Sequence, residues 1–183
     1  HASDIGPGMC LIDRWIRKNS KKKYDKNGDI AKSGKINKPI LKKLKLEYVK
    51  EKKKDSLLFK TYISYDTKNF NSDFVRGLSL EDGAATLTEY TVHRLIQSLN
   101  SLNVLKEKII LCGGGRKNKF LINSIKKYNI SLKFIDDYGI DGDFIESQAF
   151  AYLAIRSYLK LPISFPETTG VKEPCVGGVI SKY

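Results

Sequence analysis

The sequence predicts an α/β fold, a central sheet with flanking helices. Three observations carry that expectation. Ile109 to Cys112 is a short apolar run bounded by polar residues and glycines, as a buried strand is. It leads through three glycines into a helical pattern from Asn118 to Tyr128, and Ser131 to Ile135 then reads as a second strand. Strand, helix, strand, helix in this order belongs to a layered α/β domain.

The other elements follow along the chain. Asp4 precedes Gly6, Pro7 and Gly8, a turn able to open a helix. Leu11, Ile12, Trp15 and Ile16 then recur at helical spacing. Lys18 to Gly34 reads as a polar connection with a short helical piece at Asp29 to Lys32. Asn37 to Glu51 reads as an amphipathic helix with Pro39 tolerated in its first turn. Lys52 to Asn71 shows no clear pattern. Ser79 begins the clearest helix, as N-cap with Asp82 reaching back in an acidic variant of the capping box, and the pattern runs to about Leu99. A further helix from about Asp143 to Leu159 carries Ile145, Ala149, Tyr152, Leu153 and Ile155, and Pro162 and Pro166 end it. "VGGVI", Val176 to Ile180, reads as a short edge strand.

At 183 residues and 41% apolar content, the chain is long enough to bury a core. Its net charge is +13, from 33 Lys and Arg against 20 Asp and Glu. The lysines crowd into "RKNSKKKYDK" and "LKKLKLEYVKEKKK", with few aromatics placed to stack on bases. Lys also outnumbers Arg, the residue that reads base edges. A solvated basic face or a lysine-rich coding bias accounts for the charge, and a nucleic-acid partner is not favoured. Cys10, Cys112 and Cys175 are far apart and form no C-x-x-C, which suits a reducing cytoplasm. No apolar run approaches membrane-spanning length, so no membrane partner is expected. Residue 1 is His rather than Met, from which we expect the natural N-terminus to lie upstream.

Three constellations carry chemistry. In "LCGGGRKN", a strand passes through glycines into a helix. That allows close backbone approach to an anionic ligand, or simply makes a tight turn. The run completes neither a Walker loop nor G-x-G-x-x-G. Asp4, at the end of an expected strand, serves either as a general base or as the cap of its own turn. Glu146 falls in the first turn of an apolar helix, at an expected buried boundary. There it either binds sugar hydroxyls or acts only as a favourable first-turn charge. His93, inside the long helix, is given no role, and no residue is assigned as a metal ligand.

As a set, "DIGPG", "YDKNGDIAKSGKIN", "LSLEDGAATLTEYT", "LCGGGRKN", "GIDGDFIESQAFAYLAIRSYLKLP" and "TTG" closely resemble the anhydro-N-acetylmuramic acid kinase family. The resemblance runs from Ser3 to about Gly178. It implies the two-lobed fold shared by actin, sugar kinases and heat-shock ATPases, with this chain as the C-terminal lobe. It also implies a reaction in which ATP and water turn 1,6-anhydro-N-acetylmuramic acid into N-acetylmuramic acid 6-phosphate during cell-wall recycling. On the same basis Asp4 matches the catalytic base, Glu146 a sugar-contacting acid, and Gly113, Gly114, Gly115 and Asn118 the nucleotide-side loop. Mg2+ would accompany ATP. A homodimer is left open.

Two departures from the family pattern carry a second reading, a lobe that binds sugar or nucleotide without turnover. Met9 stands where the family has Asn after Gly-Pro-Gly, and "KDSLLFKTY" lacks a Gly-Arg pair.

Overall fold

The computed structural model describes residues 2–54 and 65–181, with backbone only for 49–54 and Asn69. All of "KDSLLFKTY" beyond Lys54 lies outside the described residues.

The spacing of Leu11, Ile12, Trp15 and Ile16 produces helix α1 (Cys10–Asn19), which buries all four. Helix α2 (Asp29–Ser33) is short and is fixed by buried Asp25. The two carboxylate oxygens of Asp25 accept the Ile30 and Ala31 N–H groups at 2.8 and 3.0 Å. Helix α3 (Lys38–Lys54) turns Leu41, Leu44 and Tyr48 inward and exposes Lys38, Lys42 and Lys43.

Helix α4 (Leu80–Ser101) is the spine, and α1, α2, α3 and the later helix α5 pack on it. Small residues make this approach feasible. A Cβ on Gly83 would stand 2.3 Å from the Trp15 indole, whose Nε1 donates to the Leu80 carbonyl at 2.9 Å. Ser79 caps α4 as expected, its Oγ accepting the Asp82 N–H at 3.1 Å. Asp82 does not reach back, however. Its Oδ1 accepts the Lys35 N–H at 2.7 Å, because Gly34 runs against the first turn of α4 and brings that amide within range.

Strands β1 (Ile109–Leu111) and β2 (Leu132–Phe134) pair in parallel, Ile109 opposite Leu132, and helix α5 (Lys119–Lys126) makes the crossover between them. The fold is thus mixed α/β, with a small parallel sheet and flanking helices. Its core forms two clusters, and α4 supplies both. Ala84, Leu87 and Tyr90 join α1 to α3 in one; Val92, Ile96 and Leu99 join α5 and the sheet in the other.

Helices α6 (Ile145–Tyr158) and α7 (Pro166–Thr169) complete the chain. Two expectations fail here. Helix α6 is not at a buried boundary: none of its residues is buried, and Phe150 and Tyr158 are 64% and 72% exposed. Apolar composition records a demand for cover, and the described residues do not supply it. Nor is "VGGVI" a strand. Gly178 takes a positive φ of 86°, which breaks an extended run, and Cys175 instead bridges antiparallel to Ser164.

Candidate functional site

The glycine turn is built by its first residue. Gly113 takes φ 75° and ψ 178°, a conformation that L side chains avoid, and its N–H donates to the Gly142 carbonyl at 3.1 Å. Gly114–Lys117 then forms one 3-10 turn, and Asn118 caps α5, its Oδ1 accepting the Leu121 N–H at 2.9 Å. Asn118 is 3% exposed, and its Nδ2 is buried without a partner among the described residues. Gly28, at φ 77°, closes over it: a Cβ there would meet Asn118 Oδ1 at 2.2 Å.

Between this turn and the Lys23–Asn27 segment lies an open cavity of about 530 Å3. Gly114, Gly115, Lys117 and Asn118 form one wall; Tyr24 and Asn27 face them. Met9, Asp13 and Arg17, four residues apart along α1 and its entry, supply a third side. Its lining carries both signs of charge, Arg17, Lys23 and Lys117 with Asp13, Asp25 and Asp143. Burial pushes the Asp13 carboxyl up from its ordinary pKa, while Arg17 pulls the other way, and Asp13 Oδ1 is buried without a partner among the described residues. Met9 packs close to Gly115, where a Cβ would stand 3.5 Å from its Cγ.

A second, mostly apolar cavity of about 310 Å3 lies on the other side of the turn. It is lined by residues 3–8, by Thr91 and Leu95 of α4, and by Leu111, Gly115 and Ile122. Asp4 sits here, exposed, in irregular backbone rather than at the end of a strand. Its Oδ2 accepts the Tyr65 N–H at 2.7 Å, so this bond runs across the fold and not into the adjacent Gly-Pro-Gly turn. The Ser98 Oγ donates to the Ile5 carbonyl at 3.3 Å, and the Ala2 N–H to the Thr168 carbonyl at 2.7 Å. The second bond ties "TTG" to Ala2, two residues before Asp4.

The structure therefore gathers Gly114, Gly115 and Asn118 into one cavity and Asp4 into its neighbour, with Gly115 on both walls. Gly113 sets the entry to the turn. Glu146 is exposed in the first turn of α6 and lines neither cavity. Sequence reasoning missed Asp13 and Arg17, although their spacing from Met9 is the helical period that places all three on one stripe. It also missed Arg116, whose guanidinium contacts Asp136, Asp143 and the Gly113 carbonyl. His93 is half-buried and meets the Tyr48 ring edge-on at 6.2 Å. Among the described residues, no three or more His, Cys, Asp or Glu side chains converge as a metal site, and no helix is long and apolar enough to cross a membrane. Cys10, Cys112 and Cys175 are free thiols.

The family model for anhydro-N-acetylmuramic acid kinase matches residues 1–183. An anhydro-N-acetylmuramic acid kinase of Pelagibacter ubique is 48% identical over 98% of this chain and 48% of its own length. Those of Zymomonas mobilis and Agrobacterium fabrum are 38% and 35% identical, each over 98% of this chain and 47% of its own length. The chain thus spans about half the length of these curated relatives. With that model matched from end to end, and these relatives 35% to 48% identical over 98% of the chain, the chain belongs to the anhydro-N-acetylmuramic acid kinase family.

Proposed function

We propose that this chain is the C-terminal lobe of a cytoplasmic ATP-dependent kinase with the actin-like fold. The enzyme opens 1,6-anhydro-N-acetylmuramic acid and phosphorylates it to N-acetylmuramic acid 6-phosphate in peptidoglycan recycling. The observation that carries the reading is the junction at Gly115, where a polar cavity on the glycine turn adjoins the Asp4 segment. Glycine leaves the turn without side chains, so a phosphate-bearing ligand can approach the backbone closely. Arg17 and Lys23 on the same lining can meet anionic charge, while Lys117 is paired with Asp143 there.

In this reading Asp4, exposed beside the apolar cavity, accepts a proton from a water attacking the anomeric carbon. The anomeric C–O bond of the 1,6-anhydro bridge breaks, and its electrons stay on the freed O6. That oxygen attacks the γ-phosphate and ADP leaves. Ring opening relieves bicyclic strain. The protein's part in the phosphoryl step is positioning and charge neutralisation. Glu146, exposed at the start of α6, presents a carboxylate to sugar hydroxyls. Mg2+ would arrive with the nucleotide and, when bound, would offset charge on its phosphates. Met9, a thioether on the cavity wall where the family has Asn, favours a second reading: a lobe that binds without turnover.

The test is the full-length protein with ATP and the anhydro sugar, following ADP and phosphosugar together. Turnover is expected, and Asp4→Asn should lower kcat by roughly 10²–10⁴-fold with binding retained. Binding without turnover in the wild type would select the second reading. A kcat for Asp4→Asn within about threefold of wild type would remove Asp4 from the chemistry.

A further inference from the structure

We propose that Arg116 is a positioning residue that locks the glycine turn to the acidic turn leading into α6, so that the nucleotide and sugar sides of the site are set as one unit. The proposal rests on the kinase reading above and adds a residue to it. Arg116 meets Asp136 with two parallel bonds, Nε to Oδ2 at 2.7 Å and Nη2 to Oδ1 at 2.8 Å. Its Nη1 donates to Asp143 Oδ1 at 2.6 Å and to the Gly113 carbonyl at 3.1 Å. One guanidinium thus ties the residue with the left-handed backbone to both ends of the 136–143 turn. The Gly113 N–H closes the loop from the other side by donating to Gly142.

The surroundings are shaped around this side chain. The Arg116 side chain is 6% exposed although its carboxylate partners face solvent. A Cβ on Gly142 would lie 2.5 Å from Arg116 Nε, so residue 142 has no room for a side chain while Arg116 keeps its place. Asp143 gives its second oxygen to Lys117, which holds that cation on the rim of the polar cavity. Arg116 itself reaches the apolar cavity that contains Asp4. A lysine cannot substitute, since one ammonium lacks the planar fork that meets Asp136 with two bonds while reaching Asp143 and a carbonyl. The depressed pKa values of Asp136 and Asp143 agree with this arrangement.

The experiment uses the full-length enzyme with Arg116→Lys, Arg116→Gln, Asp136→Asn and the double variant Arg116→Gln/Asp136→Asn. Arg116→Lys and Arg116→Gln should raise the KM for ATP about tenfold or more, the scale of a lost charge-assisted hydrogen bond, with kcat per folded enzyme falling less. Asp136→Asn should shift KM the same way by less, because Asp143 and Gly113 still hold Arg116. The double variant should be no worse than Arg116→Gln alone. Amide hydrogen exchange should quicken at 113–118 and 136–146 and stay unchanged in α1 and α4. A lowered Tm and faster exchange throughout, with ATP KM unchanged, would overturn the proposal and leave Arg116 a stabilising residue. If the wild type neither binds ATP nor acts on the sugar, the kinase reading falls. The exchange pattern then still decides whether Arg116 holds the two turns together.

Discussion

At the scale of single residues, the site is governed by which polar atoms find partners. Hydrogen bonds from Arg116 hold the Asp136 carboxyl well below the usual carboxylate range, and bonds from Lys117 and then Arg116 do the same for Asp143. A carboxyl with a lowered folded-state pKa contributes stability above its unfolded value, near pH 4, and loses it as pH falls through the folded value. We therefore expect Tm to be insensitive to these two groups above about pH 5 and to drop below about pH 4. Asp136→Asn should flatten that acid limb; an unchanged limb would mean that other carboxylates carry it. Glu146→Gln tests the sugar side. It should raise the KM for the anhydro sugar about ten- to a hundredfold and leave ATP nearly unaffected. Kinetics with each ligand varied separately would expose the opposite assignment as a selective loss of ATP affinity. Part of the site was legible from sequence. The glycines and Asn118 stand where a strand enters a helix, and Gly114, Gly115 and Asn118 line a cavity while Gly113 lines neither cavity. Asn118's buried role as an α5 cap was not foreseen, because its Oδ1 has its use only once Leu121 folds back above it. Arg116 was invisible for a related reason: its carboxylate partners lie 20 and 27 positions away.

At the scale of elements, helical periodicity and the Ser79 cap were reliable guides, although Asp82 turns to Lys35 instead of closing the capping box. Ser79 and the run after it gave α4, and the stripe of Leu11, Ile12, Trp15 and Ile16 gave α1. Local pattern failed where the partner surface decides. The apolar face of α6 said nothing about whether anything covers it, and "VGGVI" had strand composition but glycines that bend it. The meeting of α1 and α4 offers a sharp test. Gly83→Ala would drive a methyl group into the Trp15 indole, which the Leu80 carbonyl also holds. The better helix propensity of alanine is worth about 1 kcal/mol, whereas overpacking costs typically 1–3 kcal/mol. Net destabilisation of up to about 2 kcal/mol is expected in urea denaturation. A gain in stability would show that Trp15 gives way freely.

At the scale of the whole molecule, the two ends of the fold differ. The α1–α5 body has two filled clusters, whereas α6 and the residues after it expose Phe150, Ile155, Tyr158, Val179 and Ile180. Exposed large apolar side chains in such number promote association unless they are covered. Residues 1–183 alone should therefore bind an apolar dye and associate with rising concentration, and the full-length protein should do so much less. On the proposed two-lobe reading, residues 1–183 alone should not turn over ATP with the anhydro sugar, because that reading places further phosphate contacts on the other lobe. Turnover by the fragment would overturn the two-lobe reading. The α4 spine has a consequence for how this body comes apart. Its N-terminal half is built into one cluster and its C-terminal half into the other, so neither cluster can melt while the helix stays intact on both sides. The two cores should lose their structure in a single cooperative step. A calorimetric scan should show one transition whose heat matches its van't Hoff width, whereas two resolved transitions would mean that α4 breaks in the middle, near Thr91.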